Sequence, residues 1–193
     1  MFRGWRAAAF ALGILVLGAV TGMPEENDRP DPASPPSASI PMTFFDIKGL
    51  AKVTTSDHDT LLLLNKIQRE TGEVAVRLKT LRVEGDQDAG VVVRYQDPRN
   101  FYVVVVSAKD ESCALERVED GKTKRIGAQD IPVSPLAWHE LRVLFVQNRF
   151  TALLDGELVL GLKDSAFKKA GRIGLWSRAG SSILFDNFRI SRS

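Results

Sequence analysis

Beyond residue 43 the chain alternates between short runs rich in Val, Leu, Ile, Phe and Tyr and clusters of Gly, Asp, Asn, Pro and Ser. The breaks recur about every 8 to 12 residues, the spacing of strands in a sandwich or barrel. The runs predict strands over residues 61–65, 73–83, 89–95, 100–108, 114–119, 139–147, 150–154, 157–162, 172–177 and 182–190. None of them spaces its apolar residues at the three- and four-residue intervals of a helix. The pattern therefore predicts an all-β domain, an antiparallel β-sandwich.

Two turns fix hairpins within it. Asp120-Gly121 joins residues 115–119 to 122–126, and Asp155-Gly156 joins 150–154 to 157–160. Asp-Gly suits a two-residue type I′ turn, in which both central residues need positive φ. The run over 73–83 puts Val74, Val76 and Leu78 on one face and Arg77 and Lys79 on the other, and a bulge near Thr80 would bring Leu81 and Val83 back to the apolar side. Phe101 to Val106 is apolar at both parities, as expected of a central strand covered on both faces.

The N-terminal pattern is of another kind. Arg3 and Arg6 precede an unbroken apolar stretch over residues 7–20, the charged and hydrophobic regions of a secretory signal peptide. The stretch is shorter than the roughly 20 residues that span a bilayer. Residues 1–22 are thus expected to be a signal peptide or, if uncleaved, an N-terminal anchor. The protein is expected to be exported, periplasmic or extracellular, and attached to the inner membrane only if that leader stays. Residues 23–42 hold Pro24, Pro30, Pro32, Pro35, Pro36 and Pro41 among small and charged residues, a composition expected to remain a disordered, extended linker. This leaves 43–193 as the sandwich domain.

Charge and cysteine content narrow the classes further. Lys and Arg number 26 against 24 Asp and Glu, and two of the cations lie in the leader, which gives no basic footprint for nucleic acid. Cys113 is the sole cysteine, so no intramolecular disulfide can form. Its place in an apolar run predicts a packed thiol rather than a reactive one.

A series of segments occurs in a recognisable order: Ala89-Gly-Val-Val-Val-Arg-Tyr-Gln-Asp-Pro-Arg-Asn-Phe-Tyr-Val, Glu116-Arg-Val-Glu-Asp-Gly-Lys, Trp138-His-Glu-Leu-Arg-Val, Leu154-Asp-Gly-Glu, Gly171-Arg-Ile-Gly-Leu-Trp-Ser-Arg-Ala and Phe185-Asp-Asn-Phe-Arg-Ile. The series resembles the concanavalin A-like lectin/glucanase superfamily, including its laminin G-like group and the 3-keto-disaccharide hydrolase domain family. The resemblance implies a concanavalin A-like jelly roll. Gly171 and Gly174 are expected at close sheet contacts, with Phe185, Phe188 and Ile190 as inward anchors of the last strand.

Catalytic signatures of that superfamily are missing. Retaining glycoside hydrolysis needs two carboxyl groups about 5 Å apart, which the glycanase branch resembles in a Glu-x-Asp-x-x-Glu strand that this sequence lacks. The Glu followed by Gln-Ile and the later Trp-Asn strand associated with 3-keto-sugar chemistry are also absent. His58 and His139 are the two histidines, one in a polar loop and one beside Trp138 at a strand start. No Gly-rich phosphate loop, nucleophile elbow or zinc-ligand spacing appears. No cofactor is expected, apart from a loop that could hold Ca²⁺ through Glu84, Asp86 and Asp88.

Binding is the simpler expectation, since a jelly-roll face can offer aromatic rings to sugar C–H groups and planar polar groups to hydroxyls. If Val91 and Val93 face the core, Arg94 and Gln96 face the other way, with Tyr102 on the next strand. Arg94, Tyr102, Glu116 and Trp176 form the expected ligand-binding set. The sequence thus predicts an exported, non-catalytic module for a carbohydrate or cell-surface glycan. The alternatives are a glycoside-active enzyme of the 3-keto-disaccharide hydrolase/lyase type and an envelope structural or protein-interaction module.

Overall fold

Strands β1 (Leu50–Val53), β2 (Thr60–Arg69), β3 (Gly72–Thr80), β4 (Asp88–Asp97), β5 (Asn100–Ser107) and β6 (Ser112–Glu119) follow one another from the N-terminal side in a computed structural model. They are followed by β7 (Lys122–Asp130), β8 (His139–Val146), β9 (Arg149–Leu154), β10 (Glu157–Lys163), β11 (Gly171–Ser177) and β12 (Ile183–Ser191). The structure describes residues 50–53 and 59–191. The expected leader, the Pro-rich linker, the domain start near residue 43 and His58 lie outside the described residues.

The strands pair antiparallel in a seven-stranded sheet of order β1-β2-β11-β4-β5-β6-β7 and a five-stranded sheet of order β10-β9-β8-β3-β12. This is the antiparallel β-sandwich that the strand spacing predicted. Alternation along each strand sends Val74, Val76 and Leu78 of β3 and Leu141, Val143 and Phe145 of β8 against Val91 and Val93 of β4 and Tyr102, Val104 and Val106 of β5. Each such apolar side chain contributes about 1.5–3 kcal/mol by leaving water. Cys113 lies in the same core, and burial pushes its thiol up to about 12, as expected of an unreactive packing residue.

The seven-stranded sheet is apolar on its other face too. Leu63, Val92, Tyr95, Phe101, Val103, Val105 and Trp176 form a second buried cluster there. Strand β5, with β4 and β6 on either side, is buried at both parities, as its sequence predicted.

Both Asp-Gly hairpins adopt the predicted geometry, with φ of 52° and 79° at Asp120 and Gly121 and of 52° and 86° at Asp155 and Gly156. The expected continuation of β3 to residue 83 does not occur. Pairing on both sides stops by Thr80, whose partner on β12 is Ile183. The Thr80 hydroxyl accepts from the Leu136 N–H at 2.9 Å, and the Leu81 N–H donates to the Ser182 carbonyl at 2.8 Å. Leu81 and Val83 are left 48% and 61% exposed, in a loop and not across a bulge. Strand β1, only four residues long, carried too little pattern to be predicted.

Candidate functional site

The register of β4 against β5 breaks between Val93 and Asp97, which face Tyr102 and Asn100. More residues of β4 than of β5 fill that interval, so β4 bulges. Arg94 takes up the bend with φ of 51°, outside the range of ordinary strand residues. The opposing position must be small: a Cβ on Gly171 of β11 would lie 2.4 Å from the Arg94 carbonyl carbon.

The bulge decides where the Arg94 side chain goes. Strict alternation would turn it away from the core, yet it enters the end of the core and is 0% exposed. Its Cζ lies 5.8 Å from the Phe145 ring centroid and 5.3 Å from that of Phe150, where the ring faces attract the cation. Its nitrogens donate to three backbone carbonyls: that of Glu70 at 3.1 and 2.8 Å, that of Phe167 at 2.9 Å, and that of Gln147. Burial lowers its pKa from the ordinary value, against which Tyr102 and Glu70 act. Guanidinium nevertheless keeps its proton in proteins, so the site holds a permanent charge.

These carbonyls belong to the β2–β3 turn, the β8–β9 turn and the β10–β11 loop. A single buried fork thus pins three chain segments at one end of the sandwich. Tyr102 strengthens the third attachment. Its ring packs on Phe150 and Phe167 at centroid distances of 4.6 and 5.2 Å, its hydroxyl donates to Asp164, and it accepts the Phe167 N–H at 3.2 Å. Arg117 holds both Asp164 oxygens, at 2.9 and 2.7 Å. The Gln96 amide adds a bond to the Ala170 carbonyl at 3.2 Å.

The same three segments enclose a cleft of about 330 Å³ lined by Glu70, Gln147, Asn148, Ser165 and Lys168. The lining offers a carboxylate, two carboxamides, a hydroxyl and an ammonium, a mixed donor and acceptor set suited to a polyhydroxylated ligand. Another cleft, of about 510 Å³, lies at the opposite end beside Asp110, Glu111, Asp130, Ile131 and Pro132. Among the described residues no group of three His, Cys, Asp or Glu could hold a metal ion. Of the loop carboxylates considered for Ca²⁺, Asp86 pairs with Lys109 at 3.2 Å and Asp88 with Arg178.

The four residues expected to make one ligand face are all buried, and they divide between the two faces of the seven-stranded sheet. Arg94 and Tyr102 do come together, but within the core, because of the bulge and because Tyr102 shares its parity with Val104 and Val106. Trp176 and Glu116 belong to the far side. Trp176 carries Arg178 over its ring at 5.1 Å and donates its indole N–H to Asp59 at 3.2 Å. Glu116 pairs with Arg125 at 3.3 Å. The cleft residues were missed because they come from three separate turns. Gln147-Asn148 between two strand runs signals a hairpin in the sequence, but not what the turn faces.

His139 lies at the other end, with Nδ1 2.6 Å from an Asp155 oxygen and Nε2 2.9 Å from the Ser134 carbonyl. The neighbouring Trp138 is stacked under Arg77, 4.9 Å from its centroid.

No protein-family model matches the sequence, and no curated protein matches it. Solved structures do resemble the fold. A carbohydrate-binding module, CBM66 from Bacillus subtilis, superposes with a TM-score of 0.67 at 21% identity, over 79% of this chain and 98% of its own. Sheep galectin-11, in complex with glycerol, gives 0.51 at 11% identity over 79% and 100%. CG-16, a homodimeric agglutinin from chicken liver, gives 0.52 at 13% identity over 68% and 99%. At these identities the likeness is one of fold alone, the antiparallel β-sandwich.

Proposed function

We propose that the protein is an exported, non-catalytic carbohydrate-binding module whose ligand enters the cleft between the β2–β3, β8–β9 and β10–β11 segments. The observation that carries this reading is the buried Arg94 fork, which fixes three segments around a polar cleft before any ligand arrives. Preorganisation of that kind reduces the ordering entropy that weak sugar contacts must overcome. Planar carboxamide and carboxylate groups, such as those of Gln147, Asn148 and Glu70, can each engage neighbouring hydroxyls of one sugar ring.

Two further points agree with binding rather than proton transfer. The neighbours in fold include a carbohydrate-binding module, a galectin and an agglutinin. His139 is held away from the cleft with both ring nitrogens engaged. A glycan array probed with the full chain, followed by calorimetry on Gln147→Ala and Asn148→Ala, tests the reading. Retention of a glycan, weakened by both substitutions, is the expected result. Equal affinity of both variants would remove the cleft as the site, and an array without a single hit would remove the function.

A further inference from the structure

Resting on the reading of the cleft as a carbohydrate site, we infer that its ligand is an acidic glycan, one carrying carboxylate or sulfate groups. The segments that wall the cleft bring Arg69 next to Glu70, Arg149 next to Asn148, and Lys163, Lys168 and Lys169 on either side of Ser165. The ion pairs of the described residues join other cations to other carboxylates. Arg69 donates to a backbone carbonyl, that of Gln68, at 3.1 Å. Asp164, the acid nearest in sequence to Lys163, is taken by Arg117 and Tyr102. Glu70 is the carboxylate that lines the cleft.

The register adds a second observation. Arg149 and Lys163 are direct partners where β9 begins and β10 ends, the first next in sequence to Asn148 of the cleft lining and the second where the β10–β11 segment leaves the sheet. Like charges placed opposite each other across a strand pair repel and weaken the pairing. An anion lying beside them would relieve that repulsion. The concentration is local: across the whole chain, cations exceed anions only by 26 to 24, and the cleft at the far end is lined by Asp110, Glu111 and Asp130. A uronate or sulfate group seated at the Lys168 side, with ring hydroxyls on Gln147, Asn148 and Glu70, satisfies both the charge and the polar lining.

The test uses the full chain in affinity electrophoresis and calorimetry against polygalacturonate, its methyl ester, dextran sulfate and neutral dextran, with a single-stranded oligonucleotide as competitor. The expected result is binding to polygalacturonate or dextran sulfate, and which of the two binds separates carboxylate from sulfate recognition. That binding should weaken roughly tenfold between about 10 mM and about 150 mM salt, as the screening length falls from roughly 30 to roughly 8 Å. The double variant Lys168→Gln/Lys169→Gln, at two exposed positions, should lose roughly fivefold in affinity while keeping the wild-type unfolding midpoint. Retention on the methyl ester or on dextran alone, indifferent to salt, would overturn the charge inference and leave the carbohydrate reading standing. Displacement by the oligonucleotide at equal concentration would reduce the cations to a general polyanion surface and overturn it also. Failure to retain any of the four polysaccharides would count against both.

Discussion

Arg94 grips the carbonyl oxygen of Glu70 with two nitrogens at once, Nε at 3.1 Å and Nη2 at 2.8 Å. The remaining reach of the fork goes to Phe167 and Gln147. A cation buried between two phenylalanine rings is therefore compensated almost wholly by main-chain oxygens. Fold and cleft thus depend on the same side chain.

Replacing Arg94 by Met should remove the charge and orphan the three carbonyls. Hydrogen bonds to charged groups contribute about 1.5–3 kcal/mol each, and such losses do not add fully. A loss of about 3–5 kcal/mol in urea unfolding is expected. Arg94→Lys should recover only a minor part, since one ammonium cannot span the fork. A stable Arg94→Met variant with an unchanged midpoint would contradict the role assigned to this residue.

Gly171 gives an independent handle on the same bulge. Its missing Cβ would lie 2.4 and 2.7 Å from Arg94 backbone atoms, and a backbone cannot swing aside as a side-chain tip can. Gly171→Ala should cost at least about 2 kcal/mol by overpacking. Gly161, whose Cβ would meet nothing within 4 Å, provides the control, and Gly161→Ala should leave the unfolding midpoint close to wild type.

These two residues show where the sequence was legible. Val74, Val76 and Leu78 announced the core face of β3, and Asp155-Gly156 announced a hairpin, because each signal is local and periodic. Gly171 was also legible as a close-contact glycine. Arg94 was not, because the bulge that turns it inward is set by the register against β5 and by the close approach of Gly171 on β11, a strand far away in sequence. Glu70, Asn148 and Ser165 could not be joined beforehand either, since turn polarity is common and only the sandwich brings those turns together.

Tyrosine titration reports on the loop attachment. The protein has two tyrosines. Burial, then the hydrogen bond to Asp164, pushes Tyr102 up to about 12, and burial raises Tyr95, against a lowering by Arg172. A raised folded pKa means stability that is complete below the unfolded value near 10 and is lost as pH climbs through the folded value. The folded protein should show no tyrosinate absorbance step at pH 10, and stability should decline from there upward. Tyr102→Phe should cost about 1 kcal/mol at neutral pH and lessen the alkaline decline. A normal step in the native protein would count against this loop anchor.

The far end of the sandwich responds at a different pH. His139 has an acceptor at each ring nitrogen, the Asp155 carboxylate and the Ser134 carbonyl, so both bonds are made together only when the ring is protonated, and the site favours that form. The hydrogen bond to Asp155 raises its pKa above 6.5, against a lowering by burial. Asp155 moves the opposite way. Burial alone would raise it, but the bonds from His139 and from the Glu140 N–H, at 2.7 Å, leave it below 3.8. The raised histidine contributes stability that is complete below about 6.5 and disappears as pH rises through its folded value. The lowered carboxylate contributes stability that is complete above 3.8 and disappears as pH falls through its folded value. Together they are most stabilising between these limits, in mildly acidic solution. Asp155 is half exposed, so solvent screening holds the effect to under about 1 kcal/mol. Urea midpoints measured at pH 5.5 and pH 8.5 should therefore be higher at the acid value for wild type, and His139→Gln should remove most of that difference. An equal difference in the variant would assign the pH dependence to other groups, and leave His139 a packing residue between the β9–β10 hairpin and the segment entering β8.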